Sequence, residues 1–297
     1  MLKKLKLDQT KKYEQSIAIY EISKMLVAFV EGKKHIHCIG AEQGDIKGWD
    51  DLIIEEADRS FTHVQVKRQQ TPFSPSGYKC QRSIKRNGSE RELSPLDESM
   101  KSLANWVSAS KMKDVKRLFK LELPISNVKI KDDLEVRNFI TFCKSYINST
   151  TKVENLETLC NVQNDSDAKN IFDWLTSWCD FKDWGHILGA LQELTICNSG
   201  LESDIDNRTI IEIERIFHDS HTVIQLVKSY TEDNSTYTSA IAPRQLLFKL
   251  KEFLLPNIPT YRLRNKNKNH QAKLDISPGS HVKKYFLTII QFGAYLI

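Results

Sequence analysis

Two short apolar runs separated by a four-residue polar turn constrain the fold more than any other feature of this chain. Residues 51–56 (DLIIEE) and 61–69 (FTHVQVKRQ) each have the length of a strand, and the turn between them is ADRS. A connection this short joins antiparallel strands, so the two runs predict a β-hairpin. A further apolar run bounded by glycine, HIHCIGAE at 35–42, predicts another strand just before the hairpin.

Helical patterns flank these strands. Residues 13–30 carry apolar side chains at helical spacing, and Ser94 followed by Pro95 is typical of a helix start. Residues 115–124 (VKRLFKLELP) alternate apolar and charged side chains, as a strand ended by a proline does. The predicted order is one helix, three strands, one helix and one strand, with a helical crossover before the last strand. This order indicates an α/β fold with a mixed sheet core flanked by helices.

The later part of the chain shows a different pattern. From about residue 131 several segments favour helix, among them 185–197 and one that has Pro243 in its first turn. We therefore expect an N-terminal domain at 1–128 and a mainly helical domain at 129–297 for oligomerisation or partner docking. Because the apolar stretch 283–297 has no polar tail, we expect it to pack into a partner or to continue into a longer chain.

The charge of the chain is modest but concentrated. Its 297 residues carry a net charge of +5, and basic residues gather at 3–12, 79–91 and 261–273. Such clusters predict a polyanionic partner, because phosphate groups are bound by this kind of positive charge. No apolar run reaches the roughly 20 residues that span a bilayer, and no secretory signal is recognisable. Six scattered cysteines indicate reduced thiols, so we expect a cytoplasmic protein without a membrane partner.

Three polar side chains are predicted to meet at one end of the hairpin. Period-two geometry places Gln65 and Lys67 on one face of the third strand, and the short turn brings Asp51 close to Lys67. A carboxylate and an amide carbonyl are hard oxygen ligands suited to Mg²⁺ or Mn²⁺. Such a cation polarises a phosphodiester oxygen and lowers the pKa of a bound water, and an adjacent ammonium stabilises the developing charge. The alternative is a plain ion pair between Asp51 and Lys67 across an exposed hairpin.

The pattern Asp-x(n)-Gln-x-Lys, with aliphatic residues after the aspartate and around the glutamine, resembles the PD-(D/E)xK restriction-endonuclease-like superfamily. It is closest to the variant in which glutamine replaces the second acidic ligand, as in Mrr-type nucleases. The stretch WDDLIIEE…THVQVKRQ resembles the double-stranded DNA endonuclease effectors of bacterial anti-phage systems, namely the CBASS effector, the Lamassu nuclease subunit and certain AVAST proteins. The resemblance covers about the first 125 residues.

The resemblance implies a metal-dependent endodeoxyribonuclease with a restriction-endonuclease-like core, acting on double-stranded DNA as the effector of a defence complex. It further implies activation by oligomerisation or by a partner subunit. Asp51 and Gln65 would bind Mg²⁺ or Mn²⁺ and Lys67 would be the catalytic lysine. The pattern leaves Asp50 open as the ligand, and Asp51 is favoured because it begins the apolar run directly. Further metal ligands are expected from the first helix and from the end of the first strand, namely Glu14 or Gln15, and Glu42.

Nucleic-acid contacts are expected beside this site. His63 shares a face with Gln65 and Lys67, and basic residues follow it in the chain. The expected contacts are His63, Arg68, Lys79, Arg82, Lys85 and Arg86. A metal and a lysine act on the phosphate group, so this chemistry does not distinguish RNA from DNA. A different class of function is also open, namely a DNA-binding or scaffold subunit that has a nuclease-like fold but does not cut.

Other clusters of metal-binding or aromatic residues are weaker candidates. HIHC at 35–38 and HDSH at 218–221 contain histidine pairs, but neither has the second pair that a zinc site needs. Trp174 and Trp178 have helical spacing, which favours packing in the core over stacking on bases. The phosphate-binding glycine loops of nucleotide-binding proteins do not occur, so we expect no nucleotide binding of that kind.

Overall fold

The computed structural model describes residues 9–33, 36–40, 46–73, 93–109, 115–131, 133–147, 154, 158, 166–234 and 240–258. All of them lie within one compact unit, residues 1–258. The domain boundary predicted at residue 128 falls inside this unit, and the assignment of partner docking to the later part stays a prediction. Among the described residues, no helix is both long enough and apolar enough to cross a membrane.

A mixed sheet of five strands forms the centre of the fold. The strands of the described residues are β1 Ile36–Gly40, β2 Leu52–Glu56, β3 Phe61–Val66, β4 Arg117–Leu123, β5 Lys129–Lys131, β6 Leu134–Glu135 and β7 Leu194–Asn198. The sheet has the order β1-β2-β3-β4-β7, and β5 pairs with β6 in a separate small hairpin. The strands β1, β2 and β3 pair antiparallel, whereas β3, β4 and β7 are parallel. The predicted hairpin, the helical crossover and the α/β class are therefore confirmed.

Helices cover both faces of the sheet. They are α1 Gln9–Glu31, α2 Pro95–Ala109, α3 Val136–Phe142, α4 Ser166–Trp178, α5 Trp184–Leu191, α6 Glu202–Glu214, α7 Ser220–Asn234 and α8 Pro243–Lys249. On one face the Lys120 ammonium of β4 reaches Glu21 of α1, at 2.8 Å. On the opposite face Phe119 packs against Trp106 of α2, with ring centroids 4.9 Å apart. Period-two alternation along β4 thus sends one side chain to each helical layer.

The turn between β2 and β3 is closed by Asp58. Its Oδ1 accepts hydrogen bonds from the backbone N–H and the hydroxyl of Ser60, at 3.1 and 2.6 Å. The Glu56 N–H donates to the Ser60 carbonyl at 2.9 Å. Aspartate and serine favour turns because they make local bonds of this kind. The resulting register places Leu52 opposite Val64.

Trp174 and Trp178 lie in the core, as their helical spacing predicts, and Trp184 is buried there too. The Trp174 Nε1–H donates to Asp97 Oδ1 at 2.8 Å, and the Lys131 ammonium lies 2.8 Å from Asp97 Oδ2. The same ammonium lies 3.5 Å from the centre of the Trp178 ring. Both ionic partners are buried, so this network joins α4, α2 and β5 in the interior.

The expectation of helix throughout residues 185–197 is wrong in its second half. Helix α5 ends at Leu191, and β7 follows at Leu194–Asn198 as a parallel neighbour of β4. Thr195 and Ile196 are β-branched, and pairing along β4 outweighs the helical spacing of the apolar residues before them. The part of the chain predicted to be mainly helical therefore supplies a strand to the central sheet.

Candidate functional site

Asp51, Gln65 and Lys67 converge at one end of β3. Asp51 lies directly before β2, and its Oδ2 accepts a hydrogen bond from Gln65 Nε2. The same oxygen accepts the Val66 N–H at 2.7 Å and lies 3.9 Å from the Lys67 ammonium. Of the two neighbouring aspartates, Asp51 is the one whose carboxylate meets the glutamine and the lysine. The structure thus brings together the three side chains that the sequence pattern singled out.

The Gln65 amide is buried at this end of β3. Gln65 is 1% exposed, and its Oε1 has no hydrogen-bond partner among the described residues. Leaving a buried acceptor unpaired costs about 1–3 kcal/mol, so native structures avoid it unless something else meets the oxygen. The amide nitrogen is the end that faces Asp51, so the amide has to turn before its oxygen and the Asp51 carboxylate form a donor set that suits a hard divalent cation.

The Asp51 carboxyl is held in an environment that disfavours its charge. Burial raises its pKa, and the hydrogen bond from the Val66 N–H and the nearby Lys67 ammonium oppose this only in part. The neighbouring carboxylate of Asp50 raises the pKa further. A carboxyl whose pKa is shifted and which lies next to a specific cation is a common feature of functional sites.

Lys67 is near Asp51 but not bonded to it. The distance of 3.9 Å exceeds that of a charge-assisted hydrogen bond, which is about 2.7–2.9 Å. The Lys67 side chain is 26% exposed and that of Asp51 is 24% exposed, so both side chains reach solvent. The ammonium therefore remains available to a ligand that approaches this end of the sheet.

The segment that leads into Asp51 is fixed from two directions. The Trp49 Nε1–H donates to the Ser99 carbonyl of α2 at 2.7 Å. The Trp49 carbonyl contacts His63 Nδ1 at 3.1 Å. Gly48, with φ +79°, allows the chain to turn where a side chain would be strained. These bonds hold the backbone two residues before Asp51 against both β3 and α2.

His63 is part of this support and has no exposed surface. Its Nε2 contacts the Arg117 guanidinium at 2.8 Å, and its ring stacks on Phe119 with centroids 5.5 Å apart. A carbonyl at Nδ1 and a guanidinium at Nε2 require the neutral ring protonated on Nδ1. Burial lowers the pKa of His63, which agrees with this form. The expectation that His63 contacts nucleic acid does not fit a ring that is enclosed and bonded on both nitrogens.

The other residues expected at the site do not join the cluster of Asp51, Gln65 and Lys67 in the described part of the chain. Arg68 donates from Nε to the Glu202 carboxylate. Glu14 lies in α1 and is partly exposed, and Gln15 Nε2 donates to Glu232 of α7 at 2.9 Å. Glu42, Lys79, Arg82, Lys85 and Arg86 lie outside the described residues. Within the described part of the chain, no group of three or more His, Cys, Asp or Glu side chains is arranged to hold a metal ion.

Sequence reasoning missed two acidic residues that support the site from the other face of the sheet. The Glu122 carbonyl accepts the Lys67 N–H at 3.0 Å, and its carboxylate lies 2.5 Å from the Lys120 ammonium. The alternation of apolar and charged residues in β4 was a signal for Glu122. Glu202 gave no signal, because it bonds to Arg68 across 134 residues of sequence.

Comparison with protein-family models found no match for this chain, and comparison with curated proteins found none either. The inference of function therefore depends on the residues of the site, their geometry and their electrostatics.

Proposed function

We propose that this chain is a metal-dependent DNA endonuclease that hydrolyses phosphodiester bonds. One observation carries the proposal: the buried Gln65 amide, whose oxygen has no partner among the described residues, bonds to the Asp51 carboxylate, and the Lys67 ammonium lies 3.9 Å from that carboxylate. The pattern of these residues resembles the D-QxK variant of the PD-(D/E)xK superfamily. The sheet supports the proposal too, because β2 and β3 present the three residues at a shared, partly exposed end.

The donor atoms fit a hard divalent cation. Asp51 and Gln65 would hold Mg²⁺ or Mn²⁺, and water and phosphate oxygens would complete the coordination. The two ends of an amide have nearly the same shape, so the Gln65 group that donates to Asp51 can present its oxygen instead when a cation binds. When bound, the ion would polarise a phosphate oxygen and lower the pKa of a water.

The residues of the chain have separate tasks in this proposal. The Lys67 ammonium orients the attacking water and stabilises the negative charge that develops on the phosphate. The Val66 N–H holds the Asp51 carboxylate in place, at 2.7 Å. The Trp49 and His63 contacts fix the approach to Asp51, so that the carboxylate does not need to reorganise during the reaction.

The proposed substrate is double-stranded DNA and the proposed setting is a cytoplasmic anti-phage defence complex. The basic clusters of the sequence supply positive charge for phosphate contacts. An uncontrolled nuclease would damage its host, so we propose that oligomerisation or a partner subunit activates the chain. Two copies side by side would cut both strands of a duplex.

Plasmid cleavage tests the proposal. With Mg²⁺ or Mn²⁺, the full chain in its assembled oligomer or complex should nick and linearise supercoiled DNA, and EDTA should stop this. Lys67→Ala should lose activity by about 100-fold or more, as expected for removal of a group that stabilises the transition state. Lys101→Ala is the matched control, because Lys101 forms a surface ion pair with Asp180 at 2.9 Å. Activity in EDTA, or equal activity of Lys67→Ala and Lys101→Ala, would refute the proposal.

A further inference from the structure

The backbone just beyond β3 is tied to helix α6, next to the proposed catalytic lysine. β3 ends at Val66, and the Lys67 N–H donates to the Glu122 carbonyl at 3.0 Å. The next residue, Arg68, donates from Nε to the carboxylate of Glu202, the first residue of α6. Arg68 is 20% and Glu202 13% exposed, so this ion pair is largely withdrawn from water. It anchors the chain at the point where the strand ladder stops.

The segment that presents Glu202 is itself fixed to β4. The Ser199 N–H donates to the Leu123 carbonyl at 2.8 Å, and the Ser199 hydroxyl donates to the Glu122 carboxylate. Arg208, further along α6, donates to the Ser199 carbonyl. The position of Glu202 is therefore set by the same strand that pairs with Lys67.

The ion pair keeps its charge at neutral pH. Burial is the largest single influence on the Glu202 carboxyl and tends to raise its pKa. The hydrogen bond from Arg68, a hydrogen bond from the backbone at residue 202 and the charges of Arg68 and Lys12 together outweigh burial, and the pKa lies below its usual value. An ion pair that is partly withdrawn from water and bonded in one geometry holds its partners more firmly than an exposed pair does. Arg68 therefore has one preferred position.

We propose that Glu202 is a positioning residue for Lys67. Glu202 bonds to Arg68 and thereby holds the backbone at residues 67 and 68. This backbone position determines the direction in which the Lys67 ammonium projects. This inference rests on the proposed function and extends it to regulation. Helix α6 packs against α1, where Ser16 donates to Asp206 at 3.0 Å. A partner that shifts α6 would thereby change the cleavage rate without touching the site.

Cleavage kinetics of the full chain test the inference. Glu202→Ala should lower kcat by about 10-fold or more, because a misplacement of about 1 Å costs on the order of 100-fold in rate. The KM for plasmid DNA should stay within about 2-fold of the wild-type value, since substrate binding is not removed. Glu202→Gln keeps an oxygen that accepts from Arg68 and should recover most of kcat. Glu212→Ala, which removes a partner of Arg215 at the other end of α6, should cleave as the wild type does.

Two results would overturn the inference. One is a kcat of Glu202→Ala equal to that of Glu212→Ala. The other is an Arg68→Ala variant that raises KM alone, which would make Arg68 a DNA contact instead of a link. Hydrogen exchange of the Lys67 amide separates this inference from the proposed function. If neither the wild type nor any variant cleaves DNA, the proposed function fails. Amide exchange at Lys67 that is faster in Glu202→Ala than in Glu212→Ala would still support the positioning role. Equal exchange in the two variants would reject it.

Discussion

Replacing Gln65 by leucine should abolish cleavage and leave the stability of the metal-free protein almost unchanged. The substitution removes a hydrogen bond to a carboxylate, which contributes about 1.5–3 kcal/mol. It also removes a buried carbonyl oxygen without a partner in the described structure, which relieves about 1–3 kcal/mol. The two effects oppose each other, so the free energy of unfolding should change by less than about 2 kcal/mol, and by close to zero where they are of similar size.

Urea unfolding in EDTA, followed by circular dichroism, measures this change. Trp174→Phe is the control, because it also removes an N–H donor from a carboxylate, at 2.8 Å from Asp97, but relieves no unpaired atom. The control should lose at least about 1.5–3 kcal/mol, because the smaller ring also leaves a void in the core. A loss of more than 3 kcal/mol in Gln65→Leu would show that the glutamine is a structural residue with a fully satisfied amide. Retained plasmid cleavage would show that its oxygen has no part in the reaction.

Three further changes follow from the electrostatics of the described residues. Asp51→Asn should abolish cleavage yet maintain or raise the melting temperature at pH 7. Folding raises the pKa of Asp51, so at a pH above the ordinary pKa of an aspartate the ionised carboxyl lowers the stability of the folded state, and the neutral asparagine removes this cost. Because folding lowers the pKa of His63, the free energy of unfolding falls as the pH drops below about 6.5. Urea unfolding measured from pH 7.5 to 5 should show a shallower fall for His63→Phe. This variant is itself less stable than the wild type, because Arg117 loses its hydrogen-bond acceptor. Lys131→Met should destabilise the protein by about 3–5 kcal/mol in urea unfolding, since it leaves the buried Asp97 carboxylate without its cation, and the double variant with Asp97→Asn should recover part of the loss.

The hairpin and the three residues at its end were predictable from the sequence because their signals are local. Two apolar runs and a turn determine the pairing of β2 with β3, and that pairing brings Asp51 to Gln65. Alternation along β3 also placed His63 on the face of Gln65 and Lys67, as the structure has it. The burial of His63 on that face was not predictable from β3 alone. It is caused by Trp49 and α2, which lie outside the strand.

The remainder of the site depends on contacts between distant parts of the chain. β7 pairs with β4, and its five residues are too few to distinguish a strand from the end of the helix before it. The bond between Arg68 and Glu202 spans 134 residues, so no spacing rule could find it. The pattern also left open whether Asp50 or Asp51 is the ligand, and only the register of the folded hairpin distinguishes them.

The most direct test of the proposed metal site is a crystal structure of the protein soaked in Mn²⁺, with anomalous scattering recorded from the ion. We expect one anomalous peak within coordination distance of the Asp51 carboxylate and of Gln65 Oε1, with the amide turned so that its oxygen faces the ion. A peak at any other place, or an amide nitrogen that still donates to Asp51 in the soaked crystal, would contradict the account.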